Sequence, residues 1–304
     1  MMQRRSVMQA IMSLALAQTM TTTEAEARAT ALTIVAGEPE WLGLATNLAD
    51  ELDHRQGLRL IPTQGRGSLQ SLADLAQLQG ADAAIIAADT LAYADAQGLL
   101  APAHDRFSYV ARLQSLPIVL VTHSSIPSLT MLANKRLCTG PAQSAAFATG
   151  ELVFGTLGVP FVRVPKSHSE GLAALQRGDA DAVLLLGTET LKINTALGNF
   201  HILPLPVPQG LETVYEAHTL NQKDLPGLPA NGPKLDTIST SLVLATSSMR
   251  RNAEQNTALK RLIAELFSGP TQLPWLSTET LKNDVPGWQR NPLAVGANNS
   301  TQQN

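Results

Sequence analysis

Apolar and polar positions alternate along the chain in two registers. LTIVAG (32–37) is an apolar run that stops at Gly37 and reads as a strand. From Trp41 to about Asp53 the apolar residues Trp41, Leu44, Ala45, Leu48 and Leu52 recur at helical spacing. LRLIPTQG (58–65) is a second strand, and Ser68 can cap a helix carrying Leu69, Leu72, Leu75 and Leu78 that ends at Gly80. AAIIAAD (83–89) is apolar nearly throughout, as in a strand covered on both faces. This β-α-β-α-β order with short turns predicts an α/β fold with a parallel sheet between helices. YVARLQS (109–115) and PIVLVTHS (117–124) also read as strands, but break the alternation as a crossing between domains would.

The scheme then starts again. KRLCTG (135–140), PFVRVP (160–165), AVLLLG (182–187) and FHILPL (200–205) are strands, with helices from Ser144 to about Leu157 and from Ser169 to Arg177. Residues 209–233 are rich in Pro and Gly and read as irregular surface. ISTSLVLATS (238–247) is a long strand, and a helix from Arg251 to Phe267 stops before Gly269-Pro270. GADAAIIAADT (80–90) is echoed by GDADAVLLLGTET (178–190), each after a similar helix. The echo marks two like α/β units. Asp82 and Asp181 precede their strands and read as architectural. Ligands of open parallel sheets sit beyond the strands' carboxyl ends, so Asp89-Thr90 and Gly187-Thr188-Glu189 are the positions expected to face one.

Length and composition narrow the class. With 304 residues the chain has room for two domains, each with its own core, and 44% hydrophobic with 15% charged residues suits a globular protein. A net charge of −3 gives no electrostatic reason to expect nucleic acid. Met1-Met2-Gln3-Arg4-Arg5, an apolar stretch from Val7 to Met20, and Ala25-Glu26-Ala27 have the form of a cleavable signal peptide over 1–27. Arg4-Arg5-Ser6-Val7-Met8 is only loosely like a twin-arginine signal, so the export route stays open; the expected destination is a bacterial periplasm. Cys138 is the single cysteine, which rules out an internal disulfide, and it reads as a buried strand residue. Residues 291–304 are expected to form a disordered tail.

No pattern for catalysis is present. The six His (54, 104, 123, 168, 201, 218) are scattered, without H-E-x-x-H or calcium-loop spacing, and each reads as a surface or packing residue. There is no G-x-S-x-G, and Gly65-Arg66-Gly67-Ser68 lacks the Lys and spacing of a phosphate loop. No cofactor or metal is implied. What stands out is a pair of strand-to-helix turns. Thr63-Gln64-Gly65-Arg66-Gly67-Ser68 brings hydroxyls, an amide, a guanidinium and free backbone N–H groups to a helix start, and Gly140-Pro141-Ala142-Gln143-Ser144 does the same in the second half. Helix starts favour anions by dipole and by unsatisfied donors, so two such turns face to face would grip a small carboxylate.

On these stretches the chain resembles the solute-binding subunits of TAXI-type tripartite ATP-independent periplasmic (TRAP) transporters. The likeness lies in TQGRGSLQSL (63–72), GADAAIIAAD (80–89), RLQSLPIVLVT (112–122), KRLCTGP (135–141) and EGLAALQRGDADA (170–182), and spans roughly Leu32 to Phe267. It implies a type II periplasmic-binding-protein fold of two lobes, each a mostly parallel sheet flanked by helices, joined by crossing strands. Lobe 1 would comprise 28–121 with 237–290, and lobe 2 would comprise 122–236. It also implies a small organic solute, carboxylate or amino-acid-like, closed between the lobes for membrane permease subunits. Where the family's first turn is small and neutral, this chain has Gly37-Glu38-Pro39-Glu40-Trp41. Two carboxylates beside a bound carboxylate repel it, so either Glu38 and Glu40 point outwards or the ligand is not the usual anion. An alternative is a repurposed fold that docks, without transport, onto a periplasmic enzyme or membrane complex.

Overall fold

The computed structural model describes residues 31–53, 58–77, 80–100, 102–187, 200–221, 224–225, 234–248, 253–268, 273 and 275–300. The expected signal peptide and the site candidates Thr188 and Glu189 lie outside these residues. The chain opens with β1 (Ala31–Ala36), a short 3-10 turn (Pro39–Trp41), α1 (Leu42–Asp53), β2 (Arg59–Gln64), α2 (Ser68–Gln77) and β3 (Ala83–Ala87). Then α3 (Asp89–Ala96) and the single turn α4 (Ala103–Arg106) lead into β4 (Phe107–His123). The order recurs as β5 (Arg136–Cys138), α5 (Ala145–Thr156), β6 (Val162–Val164), α6 (His168–Arg177) and β7 (Ala182–Leu186). After these come β8 (Phe200–Leu203), β9 (Glu216–Leu220), β10 (Leu235–Ser247), α7 (Ala253–Phe267), α8 (Thr278–Lys282) and α9 (Pro292–Ser300).

The sheet path is β2-β1-β3-β10-β4-β7-β5-β6, with β8 on β4 and β9 on β10. Read from either end, it has the same arrangement. A central strand (β1 or β5) lies parallel between its two successors, followed by an antiparallel crossing strand. The two crossing strands are long because each serves both halves. The seventeen residues of β4 pair with β10 from Phe107 to Ile118 and with β7 from Ile118 to Thr122. β10 pairs with β9 at its start and with β3 near its end. The two strands expected over 109–124 are therefore one. Pro117 does not interrupt it, because a proline keeps an extended strand and lacks only one N–H donor.

The echoed aspartates are pins. Asp82 Oδ2 accepts from Thr33 N at 2.9 Å, and Asp181 Oδ2 accepts from Arg136 N at 2.8 Å, each at the start of the neighbouring central strand. In lobe 1, α1 and α7 cover one face of the sheet, while Leu72 and Leu75 of α2 cover the other. Lobe 2 has its own two clusters, around Leu137, Phe154 and Leu184 and around Val183 and Leu185. Ala145, Ala146 and Leu186 of lobe 2 pack into the lobe 1 core, so the lobes share apolar surface.

Two further expectations are corrected. The irregular span 209–233 contains β9, whose exposed Glu216, Ala217 and Thr219 carry no apolar alternation because it is a one-sided edge on β10. The tail is not disordered from 291: Asn291 Oδ1 accepts from Leu293 N at 3.0 Å and starts α9, which buries Ala294.

Candidate functional site

The turns after β2 and β5 meet where the lobes touch, and the Glu38 side chain, from the turn after β1, lies between them. Gly37 brings the end of β1 against the start of α2. A Cβ there would lie 2.8 Å from Ser68 Oγ and 2.9 Å from the Ile85 carbonyl oxygen. Trp41 N donates to Glu38 O at 3.0 Å and closes the turn. The half-buried Glu38 side chain points inwards. Its Oε1 accepts from Ser68 N and Ser68 Oγ, both at 3.0 Å, and from Ala145 N at 2.7 Å. Ser68 and Ala145 are the first residues of α2 and α5. One carboxylate oxygen thus takes the leading donors of two helices, one per lobe. Burial nevertheless outweighs those donors and pushes the carboxyl up from 4.5 to about 7, with Glu40 adding to the rise.

The backbones also touch. Leu69 N donates to Gln143 O at 3.0 Å, and Gln143 adopts φ 74° to present that carbonyl. A non-glycine residue in the left-handed region costs on the order of 1 kcal/mol, a strain that the contact offsets. Gly67, at φ +127°, has no room for a side chain, because a Cβ would be driven into the Gln143 carbonyl. Ser144 caps α5 by accepting from Phe147 N at 3.2 Å. Deeper in the interface Asp89 is fully buried, and its Oδ2 accepts from Thr149 Oγ1 at 2.5 Å and Tyr215 Oη at 2.9 Å. Burial raises this carboxyl to about 6, against those two hydroxyls, and burial together with Asp89 raises the Tyr215 phenol. Tyr93 meets Phe147 edge-on, with 5.5 Å between ring centroids.

Beside Glu38 lies a cavity of about 490 Å³ bounded by both lobes. Glu38, Glu40, Trp41 and Asn47 enter it from lobe 1, Gly140, Ser144, His168 and Gly187 from lobe 2, and Gln114 and Ser115 from a crossing strand. Among the described lining residues there is no Lys or Arg. Two lining side chains have a buried nitrogen without a hydrogen-bond partner among the described residues, His168 Nδ1 and Trp275 Nε1. His168 Nδ1 is 4.0 Å from Glu40 Oε1, too far for a hydrogen bond, and burial lowers its pKa, so the ring is neutral at pH 7.

The structure therefore divides the sequence candidates. Glu38, Trp41, Gly140, Ser144 and Gly187 line the cavity. Gly37, Ser68 and Gln143 support the junction around it. Asp89 and Thr90 are buried at the lobe contact and do not reach the cavity. Thr63, Gln64 and Arg66 lie away from it. Thr63 Oγ1 donates to Ile34 O at 3.5 Å, while Gln64 and Arg66 are exposed. His168 and Trp275 were not singled out by sequence reasoning. A signal for the first existed in the repeat: His168 opens α6 four residues after β6 ends, as Ser68 opens α2 four residues after β2. Among the described residues no three His, Cys, Asp or Glu side chains gather as metal ligands, and no helix is long and apolar enough to cross a membrane.

No family model and no curated protein matches this sequence. Solved structures do match its fold. One is the alkanesulfonate-binding protein SsuA from Xanthomonas axonopodis pv. citri bound to MOPS, at TM-score 0.50 and 16% identity, covering 79% of this chain and 72% of that one. Another is described as a periplasmic transporter, at TM-score 0.52 and 14% identity, covering 90% of this chain and 93% of that one. The fold is that of a two-lobed periplasmic binding protein. In this binding-protein fold the cavity and Glu38 lie where the lobes meet, and the repeated units place two helix starts around them.

Proposed function

We propose that the chain is an exported solute-binding protein that holds a small organic solute in the cavity between its lobes and delivers it to a membrane permease or a sensor. The observation that carries this reading is the cavity itself, walled by both lobes and lined by two orphaned nitrogens, His168 Nδ1 and Trp275 Nε1. Its volume is within the range of small-molecule sites, and unpaired buried polar atoms favour a partner that satisfies them. The lobe boundaries expected from the resemblance, 121/122 and 236/237, would fall inside the crossing strands, a natural place for a hinge. The resemblance to TAXI-type subunits supports a TRAP permease as the recipient.

A second reading, a docking subunit without cargo, is favoured by the stitching of the lobes through side-chain hydrogen bonds of Asp89 with Thr149 and Tyr215. Mass spectrometry of the natively purified protein separates the two. A retained small molecule, matched by a thermal shift when it is added back, supports solute binding; a co-purifying protein with an empty cavity supports docking.

A further inference from the structure

Glu38 joins the lobes as a bound carboxylate would. Its Oε1 is held by Ser68 N and Oγ from α2 and by Ala145 N from α5. These belong to the two turns that, facing each other, would grip a solute's carboxylate. We infer that Glu38 is a resident carboxylate occupying the anion position of the cleft, so that anionic solutes are shut out and the cavity takes a neutral or amine-bearing one. The first part stands on hydrogen bonds alone; the solute class rests also on the reading of the cavity as a solute site.

Three observations converge. First, the capacity to hold a carboxylate is not deduced from helix dipoles, since the position holds one, with three donors from helices of ten and twelve residues. Second, the neighbouring cavity offers an incoming anion neutral donors but, among its described lining residues, no Lys or Arg to balance its charge. That lining also has Glu38, Glu40 and Asp224. Third, the unpartnered nitrogens there are those of a neutral imidazole and an indole, and the indole can only donate. They suit a hydroxyl or carbonyl on the solute, while the carboxylates suit an amine. Glu38 is thus a specificity-determining residue. Its removal should uncover a site for free carboxylates that the native chain lacks.

The test compares the native chain with Glu38→Ala and Glu38→Gln by thermal melting in sodium formate or acetate, against sodium chloride at equal ionic strength. Glu38→Ala vacates the position, and formate should raise its Tm saturably by about 2–4 °C over chloride, the shift expected of a ligand at several-fold its Kd in a chain of this size. The native chain and Glu38→Gln, whose amide still fills the position, should show no such rise. Equal responses in the native chain and Glu38→Ala, or none in either, would overturn the assignment. If Glu38→Ala folds only when refolded in formate, the assignment is supported; if it folds in neither salt, it is overturned. A panel of small carboxylates, amines and polyols tests the solute class on the native chain, where a saturable shift with a carboxylate would contradict the exclusion. Formate rescue of Glu38→Ala with no panel member bound would keep the anion assignment and defeat the cavity reading instead.

Discussion

Glu38 and Asp89 both reach from lobe 1 to α5 of lobe 2, yet they do so in different company. Asp89 is fully buried, with its Oδ2 held by the side-chain hydroxyls of Thr149 and Tyr215, and it does not line the cavity beside Glu38. Glu38 is held mainly by backbone N–H groups at two helix starts and faces open space. A carboxylate gripped by side chains from packed elements is a structural clamp, since nothing else can enter its place. One gripped by backbone donors at the edge of a cavity stands where a ligand could, and a free carboxylate can replace it. The fold thus closes on itself by two routes, of which the one through Glu38 borders the candidate site.

The largest effect should come from Asp89→Ala. It leaves the Tyr215 hydroxyl buried without its acceptor and opens a gap, at a cost of about 3 kcal/mol in urea unfolding. Asp89→Asn, which keeps an acceptor, should cost less than about 1 kcal/mol. Gly67→Ala should follow, at about 2–3 kcal/mol, because the new methyl meets the Gln143 carbonyl at a backbone φ of +127°. It should weaken the Glu38 junction and leave the Asp89 clamp intact.

The carboxylates also differ in their pH windows. A carboxyl whose folded pKa lies above its unfolded value binds protons on folding, so its contribution is greatest at low pH and falls as pH rises to the folded pKa. For Asp89 that decline levels off as pH passes through about 6, and for Glu38 through about 7. The stability difference between the native chain and Glu38→Gln should therefore shrink by about 2 kcal/mol between pH 4.5 and 7. More of that change should fall above pH 6 than for Asp89→Asn. Phe147→Leu should have a small effect, about 1 kcal/mol from the lost edge-on contact with Tyr93.

Most of the fold was legible because its signals are local. The apolar runs that became β1, β3 and β7 and the spaced leucines of α2 need no distant partner to be recognised, and the echo of Asp82 by Asp181 disclosed the repeat. β9 was hidden because an edge strand on a crossing strand shows no alternation of its own, and α9 because it depends on the Asn291 cap and the packing of Ala294. At the site, the sequence indicated that two helix starts would face each other and that Glu38 sat oddly beside them. It could not show that Glu38 itself fills the gap, because that depends on how closely Gly67 and Gln143 bring the lobes together. Nor could it pick out His168 and His218 as the His residues that line the cavity; for His168 that takes aligning the two units turn by turn.

The most direct measurement of the central claim is a crystal structure of Glu38→Ala grown in formate. A formate oxygen within hydrogen-bonding distance of Ser68 N, Ser68 Oγ and Ala145 N, with the lobes still closed, is the predicted result. A position left to water, or lobes drawn together with no anion between α2 and α5, would contradict it.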